Sequence, residues 1–277
     1  MTNTHVCAIG VMAKAPRAGR SKTRLCPPLT HEQAAALSAA FLRDVTENIV
    51  TAAQLAPIQG MIAHTPAGSE GLFDGHLATG TGFVLADGTI EAQAGIVGFG
   101  RCLLHAIQGM FDAGYAAACV LNSDSPTLPT AYLARAAAWL LSGSDRAVLG
   151  AAEDGGYYLL GMTAPHPRLF ANIAWSTDTV AEATRARIAA LGLETLELPP
   201  WYDVDDAAAL DRLAGELANP GNGFAAPATA SALRRIAAPP PSCSGLTQPS
   251  PATDPASRPR GRHGPDWVGS SPTMTST

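Results

Sequence analysis

Residues 6–12 (Val-Cys-Ala-Ile-Gly-Val-Met) determine how the fold begins, because they form a short apolar run that ends at small and basic residues. Such a run predicts a buried strand. After a loop over 13–29, Thr30 and Gln33 have the spacing of a capping box, and apolar residues then recur every fourth position over 37–49. This part of the chain therefore predicts a strand, a long loop and an amphipathic helix.

The same alternation continues along the chain. Further strands are predicted over 58–64, 116–121, 147–151, 157–162 and 195–198, and further helices over 99–113, 130–141, 177–191 and 207–217. Alternating strands and helices predict one α/β domain of Rossmann-like type over 1–218, a mostly parallel sheet with helices on both faces. Ligands of open sheets of this kind bind beyond the carboxyl ends of the strands.

Composition separates a domain from a tail. The chain has 277 residues, 47% hydrophobic and 15% charged, which excludes a mainly disordered or fibrous protein. Residues 219–277 hold 11 of the 22 prolines among Ser, Thr, Ala and Gly, which predicts a disordered tail. This tail carries a net charge of +3 and leaves −8 on residues 1–218. An acidic domain argues against nucleic acid as a partner.

The cysteines and the apolar runs argue against a zinc-binding, disulfide-bonded or membrane-spanning protein. Five cysteines without a Cys-x-x-Cys pair indicate neither a zinc ribbon nor a disulfide framework. No apolar run approaches the ~18 residues of a membrane span, and the amino terminus has no secretory signal pattern. We therefore expect a cytoplasmic protein without a membrane span.

The loop over 13–29 concentrates positive charge. It contains Lys14, Arg17, Arg20, Lys22 and Arg24, and Lys14 and Lys22 are the only two lysines of the chain. We interpret the loop as a phosphate site that includes Thr23, with Gly19 letting the backbone approach the ligand. The alternative is a solvated basic loop.

Two acidic motifs follow predicted strands. Asp124 belongs to the segment Asn122-Ser-Asp124-Ser-Pro126, which directly follows the strand over 116–121, and Asp205 lies between the strand over 195–198 and the last helix. Carboxylates at strand ends suit Mg²⁺, which takes one or two protein carboxylates and completes its shell with phosphate oxygens and water. The alternatives are that Asp124 caps a turn at Pro126 and that the acids around Asp205 cap the last helix.

Three further segments have the residue types of a sugar or base pocket. The candidates combine small, aromatic and polar side chains near strand ends, and they are Gly155, Gly156, Tyr157, Trp175, Ser176, Thr177, Trp201 and Asp203. A glycine-rich turn, a helix cap and tryptophans buried in the core are the alternatives for these segments.

Five motifs taken in order resemble a known family. They are Lys14-Ala-Pro-Arg17-Ala-Gly19-Arg-Ser-Lys22-Thr-Arg24-Leu25, Ser123-Asp124-Ser-Pro126, Ala152-Glu153-Asp154-Gly155-Gly156-Tyr157-Tyr158-Leu159, Trp175-Ser176-Thr177-Asp178 and Pro199-Pro-Trp201-Tyr202-Asp203-Val-Asp205. The chain resembles, over roughly 6–217, the bacterial family of uncharacterised GT-A-type glycosyltransferases that are often labelled arsenosugar-biosynthesis glycosyltransferases. The first loop also resembles that of phospholactate guanylyltransferase.

The resemblance implies a nucleotide-diphospho-sugar transferase fold, with Asp124 as the metal-binding acid and the first loop on the phosphates of the nucleotide. Phe99-Gly100-Arg101 stands in the place of the family's Leu-Gly-x-Arg, and Arg101 is among the expected nucleotide-binding residues. The segment 85–98 before it follows the family's Gln-rich stretch only loosely.

The leading hypothesis is a Mg²⁺-dependent (or Mn²⁺-dependent) glycosyltransferase that uses a nucleotide sugar and a small-molecule acceptor. Lys22 and Arg24 would neutralise the leaving nucleoside diphosphate, and Asp154 would be the base for the acceptor hydroxyl. A nucleotidyltransferase that acts on a nucleoside triphosphate is the second hypothesis. A non-catalytic nucleotide-binding protein is the third.

Overall fold

The central sheet of the computed structural model, which describes residues 3–219 and 221–238, has seven strands. Its strand order is β3-β2-β1-β4-β6-β5-β7. β6 is antiparallel to both of its neighbours, whereas the other strand pairs are parallel. The strands are β1 (Cys7–Ala13), β2 (Ile58–His64), β3 (Gly82–Leu85), β4 (Ala117–Leu121), β5 (Arg146–Ala152), β6 (Tyr157–Met162) and β7 (Glu194–Trp201). The predicted mostly parallel sheet is confirmed.

The helices follow the predicted alternation. They are α1 (His31–Ala52), α2 (Phe99–Asp112), α3 (Thr130–Leu141), α4 (Val180–Ala190), α5 (Ala207–Ala218) and α6 (Pro227–Ala237), with short 3₁₀ turns at Thr23–Leu25, Glu70–Phe73 and Pro167–Phe170. The predicted capping box is present, since the Thr30 hydroxyl accepts from Gln33 N and the Gln33 side chain accepts from Thr30 N. None of the helices in the described part of the chain has the length and apolar content of a membrane span.

The two faces of the sheet are covered by different helices. Ile9 and Val11 of β1 pack in one apolar cluster with α1 and α3 residues, whereas Ala8 packs in another with α2 residues. Successive side chains of a strand point to opposite faces, so the near-continuous apolar run of β1 reflects burial on both sides. The predicted helices on both faces are confirmed.

The carboxyl end of the domain corrects the predicted boundary at residue 218. Residues 227–237 form α6, and Ala232 is buried in a third apolar cluster with Phe41 of α1 and Leu213 of α5. The buried Asp44 carboxylate accepts from Ala228 N at 3.0 Å and from Thr229 N at 2.6 Å. It thus caps α6 from a distant part of the chain. The prediction of a disordered tail is wrong for α6; residues 239–277 lie outside the described part.

Candidate functional site

The sheet topology gathers the sequence motifs at one edge. β1 and β4 are adjacent in the sheet, but the chain continues from β1 toward β2 and from β4 toward β5, in opposite directions along the strand order. This change of direction creates a crevice at the carboxyl ends of β1 and β4. The loop after β1 and the segment 122–126 after β4 therefore meet there. Because β6 is antiparallel, its first residue, Tyr157, lies at the same edge, where β5 and β7 also end.

Two connected cavities form a cleft at this edge. The first, of about 590 Å³, has mainly apolar walls that include Met12, Ala63, Ala86 and Leu103. The second, of about 670 Å³, is polar and lies between the first loop and the segment 175–178. The residues common to both are Lys14, Phe99, Ser123, Asp124 and Tyr157. The cleft thus has one apolar and one polar end, joined at Asp124.

Lys22 lies between the two predicted metal ligands. Its Nζ is 2.7 Å from Asp124 Oδ1 and 2.9 Å from Asp205 Oδ1, and it donates to Val204 O at 2.7 Å. Burial lowers the pKa of Lys22, but the charges and hydrogen bonds of both carboxylates outweigh burial, so that the pKa is raised. Lys22 and Asp124, which were predicted to bind phosphate and metal, thus lie side by side as an ion pair.

Backbone contacts fix the two acidic segments against each other. Val204 N donates to Asp124 O at 2.9 Å, and the buried Ser125 hydroxyl donates to Tyr202 O at 2.8 Å. These contacts join the end of β4 to the segment after β7, although the segments are far apart in sequence. Asp206, rather than Asp205, caps α5, since its side chain accepts from Ala209 N. Asp205 is therefore available for the cleft.

The acidic side of the cleft has more negative charge than Lys22 neutralises. Burial raises the pKa of Asp203 to about 6, with contributions from Asp154, Asp205 and Asp124. Within the described residues, no three His, Cys, Asp or Glu side chains are grouped as a complete metal site. Two carboxylates are nevertheless enough for Mg²⁺ when phosphate oxygens complete its shell. The donor set and the excess charge fit a divalent cation bound together with a nucleotide.

The first loop divides into residues that line the cleft and residues that do not. Lys14, Arg20, Thr23 and Arg24 line the polar cavity, and the Arg24 side chain is exposed. Arg24 Nη1 lies 3.9 Å from Asp205 Oδ2. In the described part of the chain, Lys14 and Arg20 have no acidic partner within the 4.0 Å of an ion pair. The predicted residues Arg17 and Gly19 are exposed and lie outside the lining of both cavities.

The turn after β5 contributes an acid and a close backbone contact. Asp154 lines the polar cavity, and its Oδ1 accepts from Gly156 N at 2.8 Å. Gly155 has φ +89°, and a Cβ placed there would lie 2.0 Å from Asp178 O. Gly155 therefore lets this turn pack against the segment 175–178, which explains the glycine physically. Gly156 and Tyr157 line the cleft as predicted.

The segment 175–178 forms the far wall of the polar cavity. Trp175, Ser176, Thr177 and Asp178 all line it. The Trp175 ring packs edge-on against Phe99, with ring centroids 5.6 Å apart. Ser176 has φ +64°, which is uncommon for a residue with a Cβ. The predicted placement of Trp175, Ser176 and Thr177 at a pocket agrees with this geometry.

Besides Arg17 and Gly19, four predicted site residues line neither cavity: Arg101, Gly155, Trp201 and Asp203. Arg101 does not line the cleft: its Nε donates to Gly88 O at 2.9 Å and its Nη2 donates to Ile90 O, so it anchors the loop before α2. Trp201 is half-buried, packs edge-on against Tyr132 and lies against two of the apolar clusters. The core alternative for this tryptophan is therefore the correct one. The positions of Arg101 and Trp201 follow from tertiary packing that motif spacing does not encode.

Other cleft residues were not predicted from the sequence. Phe99 lines both cavities and is half exposed, and Cys102 lines the apolar one. Buried polar atoms without a partner among the described residues include Asn122 Oδ1 and the Tyr157 hydroxyl, and both residues line the apolar cavity. An asparagine directly after a buried strand was a usable signal, whereas an exposed Phe at a helix start gave none.

Comparisons with known proteins bear on the family and the fold of this chain. Residues 48–177 match the sequence profile of a family described as uncharacterized protein conserved in bacteria (DUF2064). This match confirms the family resemblance expected from the motifs. A comparison with curated proteins gives no match.

Among solved structures, a candidate nucleotide-diphospho-sugar transferase from Desulfovibrio desulfuricans G20 is 26% identical to this chain, with a TM-score of 0.67. The match covers 83% of this chain and 94% of the Desulfovibrio chain. A nucleotidyl transferase from Methanothermobacter thermautotroptrophicus is 14% identical over 75% of this chain and 95% of its own, with a TM-score of 0.47. Rv0371C of Mycobacterium tuberculosis H37Rv in complex with manganese is 19% identical over 75% of this chain and 97% of its own, with a TM-score of 0.40. Only the first similarity is close enough to support an argument.

Proposed function

We propose that the protein is a glycosyltransferase that uses a nucleotide-diphospho-sugar donor and a divalent cation, Mg²⁺ or Mn²⁺. The similarity to the candidate sugar transferase of Desulfovibrio desulfuricans G20 supports the transferase class. The cleft supports the same class, because its apolar and polar cavities adjoin at Asp124. Asp124 and Asp205 are the proposed metal ligands.

The cleft suggests how a donor lies. The apolar cavity suits the nucleoside, since Met12, Ala63 and Leu103 offer no competing polar groups. The diphosphate then falls at the junction, beside Lys14 and Asp124, which line both cavities. A bound divalent cation would neutralise charge on the diphosphate as it leaves. Arg20 and Arg24 stand on the same side as Lys14 and add positive charge there.

The residues that line the polar cavity favour glycosyl transfer over nucleotidyl transfer. Its far side holds Asp154 and Asp178 together with the Trp175 ring, whereas the cations lie on the first loop. Carboxylates accept hydrogen bonds from hydroxyl groups but repel a phosphate group. Aromatic faces suit the apolar face of a sugar ring. A neutral sugar and a hydroxyl-bearing acceptor fit this cavity better than a phosphorylated substrate.

Asp154 is the proposed base for the acceptor hydroxyl. One of its oxygens is engaged by Gly156 N, which orients the carboxylate, and the residue lines the polar cavity. A base needs to lie within hydrogen-bond reach of the proton that it removes. Asp154→Asn keeps the hydrogen-bond acceptor for Gly156 N but removes the basic oxygen. We expect it to lower turnover by ~100-fold or more while donor binding persists.

Nucleotidyl transfer is the second candidate function, and one observation favours it. Four cations of the first loop, Lys14, Arg20, Lys22 and Arg24, line the polar cavity, and a triphosphate has more charge to neutralise than a diphosphate. A phosphate nucleophile is already ionised and needs no protein base. Under this alternative, Asp154→Asn leaves turnover nearly unchanged.

The experiment that separates the two functions measures the released product. The purified protein is incubated with Mg²⁺ and either nucleotide-diphospho-sugars or nucleoside triphosphates, and nucleoside diphosphate and pyrophosphate are quantified. Water replaces the acceptor in a slow hydrolysis of the sugar donor. Nucleoside diphosphate that depends on Mg²⁺ and disappears in Asp124→Asn supports glycosyl transfer. Pyrophosphate release from a triphosphate refutes it in favour of nucleotidyl transfer.

A further inference from the structure

The Lys22 ammonium uses all of its hydrogen-bonding capacity inside the protein. An ammonium has three donors and no acceptor. Its three close partners are Asp124 Oδ1 at 2.7 Å, Asp205 Oδ1 at 2.9 Å and Val204 O at 2.7 Å. The ammonium is thus engaged by three protein oxygens in this structure. The predicted phosphate contact of Lys22 requires these bonds to break first.

The surroundings of Lys22 also differ from those of a ligand-facing lysine. Its side chain is 7% exposed, and its Nζ lies 5.4 Å from the centre of the Phe41 ring. The backbone of Lys22 has φ +50°, a left-handed conformation that is uncommon for a residue with a Cβ. Lys14, the other lysine of the chain, is exposed and lines both cavities. The two lysines of one loop thus have different environments.

A cation between Asp124 and Asp205 is favoured electrostatically, and Lys22 is that cation here. Two carboxylates that converge on one point repel each other unless a positive charge separates them. Asp203 and Asp154 add to the negative charge on this side of the cleft. The Asp124 and Asp205 oxygens that contact Lys22 are also among those that a divalent cation would use.

We propose that Lys22 is an internal counter-ion that holds Asp124 and Asp205 together, and that a divalent cation competes with the Lys22 ammonium for these carboxylates. The inference rests on the proposed metal site. Lys22 is then a positioning residue in the metal-free protein, and metal binding releases its ammonium for the phosphates. Binding of the metal and contact between Lys22 and the nucleotide become coupled.

The first test titrates the full chain with Mn²⁺ in the absence of nucleotide and follows free Mn²⁺ by electron paramagnetic resonance. Lys22→Met removes the competing charge, so we expect Mn²⁺ to bind more tightly by on the order of tenfold. Arg17→Met is the matched control from the same loop, because Arg17 is exposed and lies outside the lining of both cavities; we expect its Mn²⁺ affinity to stay within roughly twofold of the unsubstituted protein because exposed charges are screened. Asp124→Asn should abolish the binding.

A second measurement uses the unsubstituted protein, so that it does not depend on the folding of a variant. Acylation of the two lysines is followed by mass spectrometry with and without Mn²⁺. Lys14 should react quickly in both conditions, whereas Lys22 should react slowly without Mn²⁺ and several-fold faster with it. Unchanged labelling of Lys22 on saturation with Mn²⁺ contradicts the release of its ammonium.

The outcomes distinguish this inference from the proposed function. If the unsubstituted protein binds Mn²⁺ and Lys22→Met binds it equally or more weakly, competition is refuted while the metal site stands. If neither protein binds Mn²⁺, the proposed metal dependence fails and this inference fails with it. Tighter binding by Lys22→Met supports both.

Discussion

Substitution of Gly155 by Ala tests how the segment 175–178, the far wall of the polar cavity, is held in place. A Cβ at this position would lie 2.0 Å from Asp178 O, and Gly155 has φ +89°. The neighbouring backbone is also fixed, since Ala181 N donates to Gly155 O at 2.8 Å. Asp178 and its neighbours must therefore shift to accommodate a methyl group.

The magnitude follows from two separate costs. A left-handed conformation costs a non-glycine residue ~1–2 kcal/mol, and overpacking costs ~1–3 kcal/mol. The sum of about 2–5 kcal/mol corresponds to a loss of about 4–20 °C in Tm for a domain of this size. Gly19→Ala is the matched control: Gly19 has φ +72°, but no heavy atom of the described residues lies within 4 Å of its added Cβ. Only the first cost, about 1–2 kcal/mol, applies to it.

Both Tm values are measured by differential scanning calorimetry, and nucleoside diphosphate release from a nucleotide-diphospho-sugar is measured in parallel. We expect Gly155→Ala to lose more stability than Gly19→Ala and to lose turnover, because the segment 175–178 lines the polar cavity. Binding of a nucleoside diphosphate alone should persist, since it depends on the apolar cavity and the junction. Equal Tm losses in the two variants would refute the packing argument.

Three further predictions concern the fold, the acids and the loop before α2. Asp44→Ala removes the acceptor of two backbone donors of α6 and should lower the free energy of unfolding, measured in urea, by about 2–4 kcal/mol. A chain that ends at Ala226 should likewise be less stable than one that ends at Ala238. Equal stabilities of the two chains would contradict the docking of α6. Burial raises the pKa of Asp203 to about 6, so ionisation of this carboxyl destabilises the folded protein. The free energy of unfolding of the metal-free protein should therefore fall as pH rises from about 4 to 6. This component of the pH dependence should be absent in Asp203→Asn. Arg101→Gln breaks the hydrogen bonds to the loop before α2 and should lower the Tm by about 2–8 °C. The affinity for tripolyphosphate should stay unchanged. A weaker affinity for tripolyphosphate would instead support the predicted phosphate role of Arg101.

Local sequence signals predicted most of the elements. The strand at Ile58–His64 and the helix at Thr130–Leu141 have the predicted bounds, and the capping box places the start of α1. These elements have strong apolar patterns or a local cap. β3 was missed because Gly82–Leu85 is only four residues long, too short to show a periodicity. α6 was missed because its composition resembles that of a linker, and its capping carboxylate, Asp44, is 184 residues away from Ala228.

The sequence by itself determined which residue types gather beyond the strand ends, because parallel topology sends the loops after β1, β4, β5 and β7 to one edge. Only the tertiary structure decided what each side chain does there. Lys22 and Asp205 are 183 residues apart yet form an ion pair at 2.9 Å, so the residue predicted to bind phosphate contacts a carboxylate in this structure. Arg101 and Trp201 carry the right chemistry for a cleft but face a loop and the core. Side-chain direction depends on packing between distant segments, and local residue patterns do not contain that information.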